Sequence, residues 1–342
     1  MKLLTIATAT ILGAGLSAAQ AQSVTVGVFG GQAQTAFTEC VFRPFTAKTG
    51  TKVVLDIGAS AVTLNKLVAQ KSAPAMDVAF MDGGPSEQAA AAGVLEALDA
   101  QRIPNLANVV PQAIHAQGDR TYAAGVLFYS FGLLYNKDTV KEPPKAWADL
   151  WSGKYKGQVA LPSMQISMGL PFLAHMATIS GGSMTDLKPA LENLRKVDAV
   201  AFFASAGNIS SMFQAEEVAV APHFSTSALE LIKAGAPLEF VAPTDKPIAN
   251  DSRVHLVKNG PHRNEAEQLI DMSLTKEASA CLAEKFNGGP SIKDVVLKPE
   301  IARLMPWGKD GSVADLVMPD WNEINARRSE MTALFEAQVA RK

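Results

Sequence analysis

Apolar and polar positions repeat along this chain with periods that mark regular elements. Positions 23–29 place Val24, Val26 and Val28 on one face, the period of a half-buried strand, and Gly30-Gly31 interrupts it. Phe37, Val41 and Phe45 recur every four residues, which predicts a helix closed by Gly50. Positions 52–57 read as a second strand. Ser60 stands where a helix carrying Leu64, Leu67 and Val68 would be capped. Positions 77–81 form a short buried strand that runs into Asp82-Gly83-Gly84-Pro85 and then another helix. Strand, helix, strand, helix, strand implies a parallel sheet with right-handed crossovers. Ligands of such sheets bind beyond the carboxyl ends of the strands. Those ends are Phe29-Gly30-Gly31, Gly58-Ala59-Ser60 and Met81-Asp82-Gly83.

After a looser stretch at 99–120, positions 122–135 are strongly apolar. The run is too short for a membrane span and reads as a long buried strand. A second α/β set follows. Its strands are expected at 159–161, 201–204, 218–221 and 238–241, its helices at 167–179, 187–197, 208–213 and 225–234. A strand at 253–257 and helices at 265–274 and 277–284 come next. In the last helix, 319–339, Ile324, Met331, Leu334, Phe335 and Val339 share one stripe, so it is expected to cover a lobe from outside. Two α/β sets joined by extended apolar crossings predict two lobes with a cleft between them, a preferred place for a ligand.

The first residues read as an address. Lys2, an uncharged run over 3–16 and Ala19-Gln20-Ala21 form a secretory signal peptide, 1–21, with cleavage expected after Ala21. No cysteine stands at the cleavage site to take a lipid. The mature chain is expected to be exported, and periplasmic in a cell with two membranes.

Composition narrows the function. A length of 342 residues suggests two domains, and 48% apolar against 19% charged residues allows a sizeable core. The net charge of −2 offers no basic excess for nucleic acid. Two cysteines and five scattered histidines give no multi-ligand metal site. Cys40 and Cys281 would meet an oxidising compartment, either as a disulfide or as two separate buried thiols. No Gly-x-Ser-x-Gly, His-Glu-x-x-His or Walker motif occurs, and Gly30-Gly31 is only a weak echo of a dinucleotide fingerprint. No cofactor is expected.

Longer motifs add a resemblance. Phe131-Gly132-Leu133-Leu134-Tyr135-Asn136-Lys137-Asp138, Ala146-Trp147-Ala148-Asp149-Leu150-Trp151, Tyr155-Lys156-Gly157 and the helix pair at 266–281 before Gly289-Pro290 are similar to the periplasmic solute-binding proteins of ABC importers. Within them the chain resembles the spermidine/putrescine-binding branch. The resemblance implies an α/β, two-lobe periplasmic binding protein fold (type II). Each lobe would be a mainly parallel sheet flanked by helices, with the ligand cleft at the hinge. Lobe 1 would be 23–125 and 250–305, lobe 2 135–245 and 306–342, with hinge strands near 126–134 and 246–252. Cys40 and Cys281 would then share lobe 1, which favours the disulfide.

Binding positions carry over residue by residue. The first loop offers Phe29, Gly30 and Gly31, with bare backbone N–H groups where the family has side chains. Ser60 stands at a helix start, where it either meets a polar oxygen or simply caps the helix. Asp82 replaces a family serine and suits an amine, or caps a turn. The family's acidic pair in lobe 2 is replaced by Ser163-Met164-Gln165-Ile166-Ser167, so Ser163 and Ser167 bring hydroxyls where a polycation would want carboxylates. Phe224 replaces a tryptophan and Ser225 follows it. Asp251 retains the family's amine-pairing aspartate. Arg253 shares its strand face and would either clamp a carboxylate or pair with Asp251. Tyr129 and Asn208 join by placement, with His223 the weakest of these.

The expected function is capture of a small polar, amine-bearing solute, without turnover: a polyamine, opine, amino-acid derivative or aminophosphonate. Partners would be an ABC permease and ATPase on other chains, with membrane contact only through the permease, and the protein a monomer. A ferric-ion carrier of similar fold, a secreted enzyme and a chemoreceptor's binding partner are the alternatives.

Overall fold

The computed structural model describes residues 22–305, 307, 313 and 316–341; the signal segment lies outside them. Twelve strands form one sheet. They are β1 Ser23–Val28, β2 Lys52–Ile57, β3 Val78–Asp82, β4 Leu95–Glu96, β5 Ile114–Gln117, β6 Arg120–Asn136, β7 Val159–Pro162, β8 Ala199–Phe203, β9 Val220–Phe224, β10 Leu238–Val241, β11 Ile248–Val257 and β12 Gly289–Pro290. The main order is β2-β1-β3-β11-β6-β9-β7-β8.

Pairing divides this sheet into two parallel blocks. β1 runs parallel to β2 and β3, and β7 runs parallel to β8 and β9. Between them β11 and β6 pair antiparallel, and each also borders a block: β11 borders β3, and β6 borders β9. β6 is the apolar run at 122–135, and every residue from Ala123 to Asn136 is buried. Such a continuous apolar run is what a strand covered on both faces requires. β11 reaches further back than 253–257. Asn250, Asp251 and Ser252 broke its apolar pattern, yet all three are buried in the strand.

The first helical segment keeps its stripe. Phe37, Val41 and Phe45 are fully buried, and Gly50 ends the segment at φ +74°. A π-helical turn, Thr38–Phe42, interrupts it and carries Cys40. That cysteine is bonded to Cys281 of helix Lys276–Phe286, with 5.5 Å between their Cα atoms. The disulfide expected from the resemblance is present.

Three elements depart from the pattern. Ser60 does not cap its helix: Ala59 is the N-cap, and the Ser60 hydroxyl accepts from the Asp82 N–H at 3.0 Å. The helix expected from 167 starts at Gly169, because Met164, Ile166 and Met168 turn inward first. A Cβ at Gly169 would lie 2.2 Å from the Ser163 carbonyl oxygen, so only glycine allows this turn to close. The C-terminal helix Trp321–Phe335 buries Ile324, Met331 and Phe335 as expected, but it does not merely cover one lobe from outside. It packs on both helix Gly169–Ile179 and helix Pro85–Ala91, bridging the two blocks.

Candidate ligand-binding site

A cavity of about 400 Å³ opens where the carboxyl ends of both parallel blocks meet. Phe29, Ser60 and Asp82 follow β1, β2 and β3 into its wall. Gln165 and Ser167 follow β7, Ser205 follows β8, and Phe224 and Ser227 follow β9. The crossing strands add Tyr129 and Ser252, and the C-terminal helix adds Trp321 and Arg328. This volume falls within the range of small-molecule sites, and the wall mixes aromatic surface with a few polar groups, as such sites do.

Asp82 is the only acidic side chain of that wall among the described residues. Its Oδ1 accepts from the Ser252 hydroxyl at 3.0 Å. Burial pushes its carboxyl up to about 6 from an ordinary 3.8; the Ser252 bond opposes the rise and the charge of Asp251 adds to it. Burial, then the charge of Asp82, holds the nearby Tyr129 phenol well above its ordinary value. The Tyr129 hydroxyl accepts from Asn250 Nδ2 at 3.1 Å. An acid held near neutrality at a cavity wall is strained when ionised and gains from a cationic partner.

Asp251 and Arg253 resolve the other way. Arg253 Nε donates to Asp251 Oδ1 at 2.8 Å, and its Nη1 donates to Glu87 Oε1 at 2.5 Å. His115 Nε2 lies 2.5 Å from Asp251 Oδ2. Burial alone would raise Asp251, but Arg253 and His115 hold it down at about 2. A register shift on β11 falls between Ser252 and Arg253. Ser252 faces Asp82 and the cavity, while Asp251 and Arg253 face this inner cluster. The two residues are bound to each other and lie away from the cavity wall.

The remaining expected residues separate in the same way. Phe29, Ser60, Tyr129, Ser167 and Phe224 join Asp82 at the cavity. Gly30 and Gly31 are exposed and outside the cavity wall, and Gly31 sits at φ +68° as an N-cap. Ser163 is turned into the loop with its hydroxyl buried. Ser225 accepts from the Ser130 N–H at 3.1 Å beneath the wall. Asn208 is exposed, its Oδ1 accepting from the Ala204 N–H at 3.4 Å.

The profile of the family described as Bacterial extracellular solute-binding protein matches residues 41–306. The chain belongs to this family. As a solute-binding protein it is 24% identical over 276 residues to the spermidine/putrescine-binding periplasmic protein of Salmonella typhimurium (strain LT2), covering 77% of each. Among solved structures, the Atu4243-GABA receptor superposes with a TM-score of 0.78 at 21% identity, over 94% of this chain and 98% of that one. MotA from A. tumefaciens B6 in complex with glucopine gives 0.77 at 19% identity, over 93% and 100%. The fold is that of the two-lobe periplasmic binding proteins.

Of the tyrosines, Tyr135 donates to Glu239, Tyr155 donates to the Glu142 carbonyl, Tyr129 faces the cavity, and Tyr122 lies beside Glu87 of the inner cluster. No cluster of three His, Cys, Asp or Glu side chains suits a metal ion among the described residues. A Ser86–His255 hydrogen bond of 2.8 Å was not foreseen from the sequence. Both side chains are fully buried, and His255 Nδ1 donates to the Ala79 carbonyl at 2.9 Å, so the pair is a sealed core contact.

Sequence reading missed Trp321 and Arg328. Their helix carries no family motif, and an arginine in Ala326-Arg327-Arg328-Ser329 reads as solvated. The signal lay in Gly83-Gly84. A Cβ at Gly83 would fall 2.3 Å from Trp321 Nε1 and 2.4 Å from Asn250 Oδ1, so the glycines leave room for that ring.

Proposed function

We propose that this protein is the exported binding component of an ABC importer, capturing a small amine-bearing solute between its lobes and passing it unchanged to a membrane permease driven by a separate ATPase. The observation that carries the reading is Asp82: a carboxylate at a strand end, on the wall of a solute-sized cavity between two strand blocks. An ammonium group there relieves the cost of ionising a half-buried acid. Trp321, Phe224 and Tyr129 give aromatic surface for the carbon chain of such a solute. Spermidine, putrescine, GABA and glucopine, named for the three similar proteins above, each carry an amine.

In this reading lobe 1 is 23–125 with 250–305, lobe 2 is 135–245 with 306–342, and the segments 126–134 and 246–252 form the hinge. The chain works as a monomer in the periplasm after cleavage at Ala21. Asp251 and Arg253 hold the hinge together and do not touch the solute, a revision of the role carried over from the family. Asp82 takes over the amine.

Calorimetric titration of wild type and Asp82→Asn with amine-bearing solutes tests this. Loss of a charged hydrogen bond predicts roughly tenfold to hundredfold weaker binding by the variant. Equal affinities, or consumption of the solute by the purified protein, would overturn the reading.

A further inference from the structure

Among the described residues, the cavity wall holds one cationic side chain, Arg328. Its surroundings are hydrogen-bonded. Arg328 Nη2 donates to Asn325 Oδ1 at 2.9 Å, and Asn325 Nδ2 donates to the Gly84 carbonyl at 3.0 Å. Gln88 Nε2 donates to the same Asn325 oxygen at 2.9 Å. The guanidinium is thus tethered to the turn that follows Asp82. Yet Arg328 Nε is sealed from solvent and has no acceptor, and no carboxylate pairs with this arginine, among the described residues. The contrast with its neighbours is direct: Arg253 has Asp251 and Glu87, and Arg327 has Glu330. Burial without a counter-charge also lowers the pKa of Arg328.

A half-buried guanidinium without a counter-charge costs free energy that an anion beside it lowers. Its planar fork fits carboxylate or phosphonate oxygens in pairs. A second ammonium would instead meet a like charge. We propose that Arg328 receives an anionic group of the solute, so that the site selects zwitterions, molecules carrying a carboxylate or phosphonate as well as the amine. This rests on the assignment of the amine to Asp82.

The test is calorimetric titration of the purified chain with γ-aminobutyrate, 3-aminopropylphosphonate and 1,4-diaminobutane, which are similar in length and differ in one end group. Wild type should prefer a zwitterion to the diamine, and the better of the two identifies the anion. Arg328→Gln should weaken zwitterion binding about tenfold or more and strengthen diamine binding, inverting the preference. Arg328→Lys should restore part of the loss. The unliganded melting temperature of Arg328→Gln should equal or exceed that of wild type, because no ion pair is broken. A wild type that prefers the diamine, or an Arg328→Gln variant that weakens both classes equally, would overturn the anion assignment while Asp82→Asn still weakens the amine. Zwitterion binding that survives Asp82→Asn but fails in Arg328→Gln would overturn the amine assignment and leave this one standing. Binding of none of the three would overturn both.

Discussion

Among the described residues of the cavity wall, Asp82 has a pH signature of its own. Its carboxyl titrates at about 6 because burial disfavours the charge. Below that pH the empty site holds a proton, which an ammonium must expel to bind. Affinity for an amine should therefore fall by about tenfold per pH unit below 6 and level off above it, checked by titrations between pH 4.5 and 8. Stability of the empty protein runs the other way. The folded pKa lies above the unfolded one, so protonation between about pH 6 and 4 favours the folded state. A parallel fall of both quantities would place the effect elsewhere. Asp82 was legible in the sequence because an acid at the end of a buried strand sits where such sheets bind ligands. For Asp251, pairing with Arg253 was one of the two readings offered, but its withdrawal from the cavity was not legible. Its spacing from Arg253 put the two on one face, but Glu87 and His115 arrive from distant parts of the chain. Only the tertiary fold shows that the inner cluster claims this pair.

Elements with a strong period were the readable ones. The helix of Phe37, Val41 and Phe45 and the apolar strand β6 fell where their patterns put them. Short elements shifted by a few residues, as at Gly169, because close backbone approach decides them and leaves little periodic trace. The Trp147 motif turned out to be architectural. Trp147 is fully buried against Phe131 and Phe172, its Nε1 donates to the Lys246 carbonyl at 2.9 Å, and Asp149 accepts from the Ala146 N–H at 3.1 Å. The Cys40–Cys281 bond ties the π-helical turn to helix Lys276–Phe286 across a separation of 241 residues. A loop of that size gives up to about 5 kcal/mol by chain entropy. Reduction, or the double replacement Cys40→Ala with Cys281→Ala, should lower the melting temperature by about 10 °C, read by differential scanning calorimetry. An unchanged transition under reductant would show that packing of the two elements suffices without the bond.

At the scale of the molecule, two parallel blocks share β6 and β11, and the cavity lies across that junction. β6, β11 and the C-terminal helix bridge the blocks, and the proposed closure is a rotation of one block against the other about them. A solute that touches both blocks binds the closed arrangement better than the open one and shifts the population toward it. In the proposed function Asp82 would reach the solute from one block, and Ser167 and Phe224 from the other. The most direct test is small-angle X-ray scattering of the purified protein before and after saturation with an amine-bearing solute. The account predicts a smaller radius of gyration with solute, and for Asp82→Asn the same change only at roughly tenfold to hundredfold higher solute. Superimposable profiles for the empty and saturated wild type would contradict it.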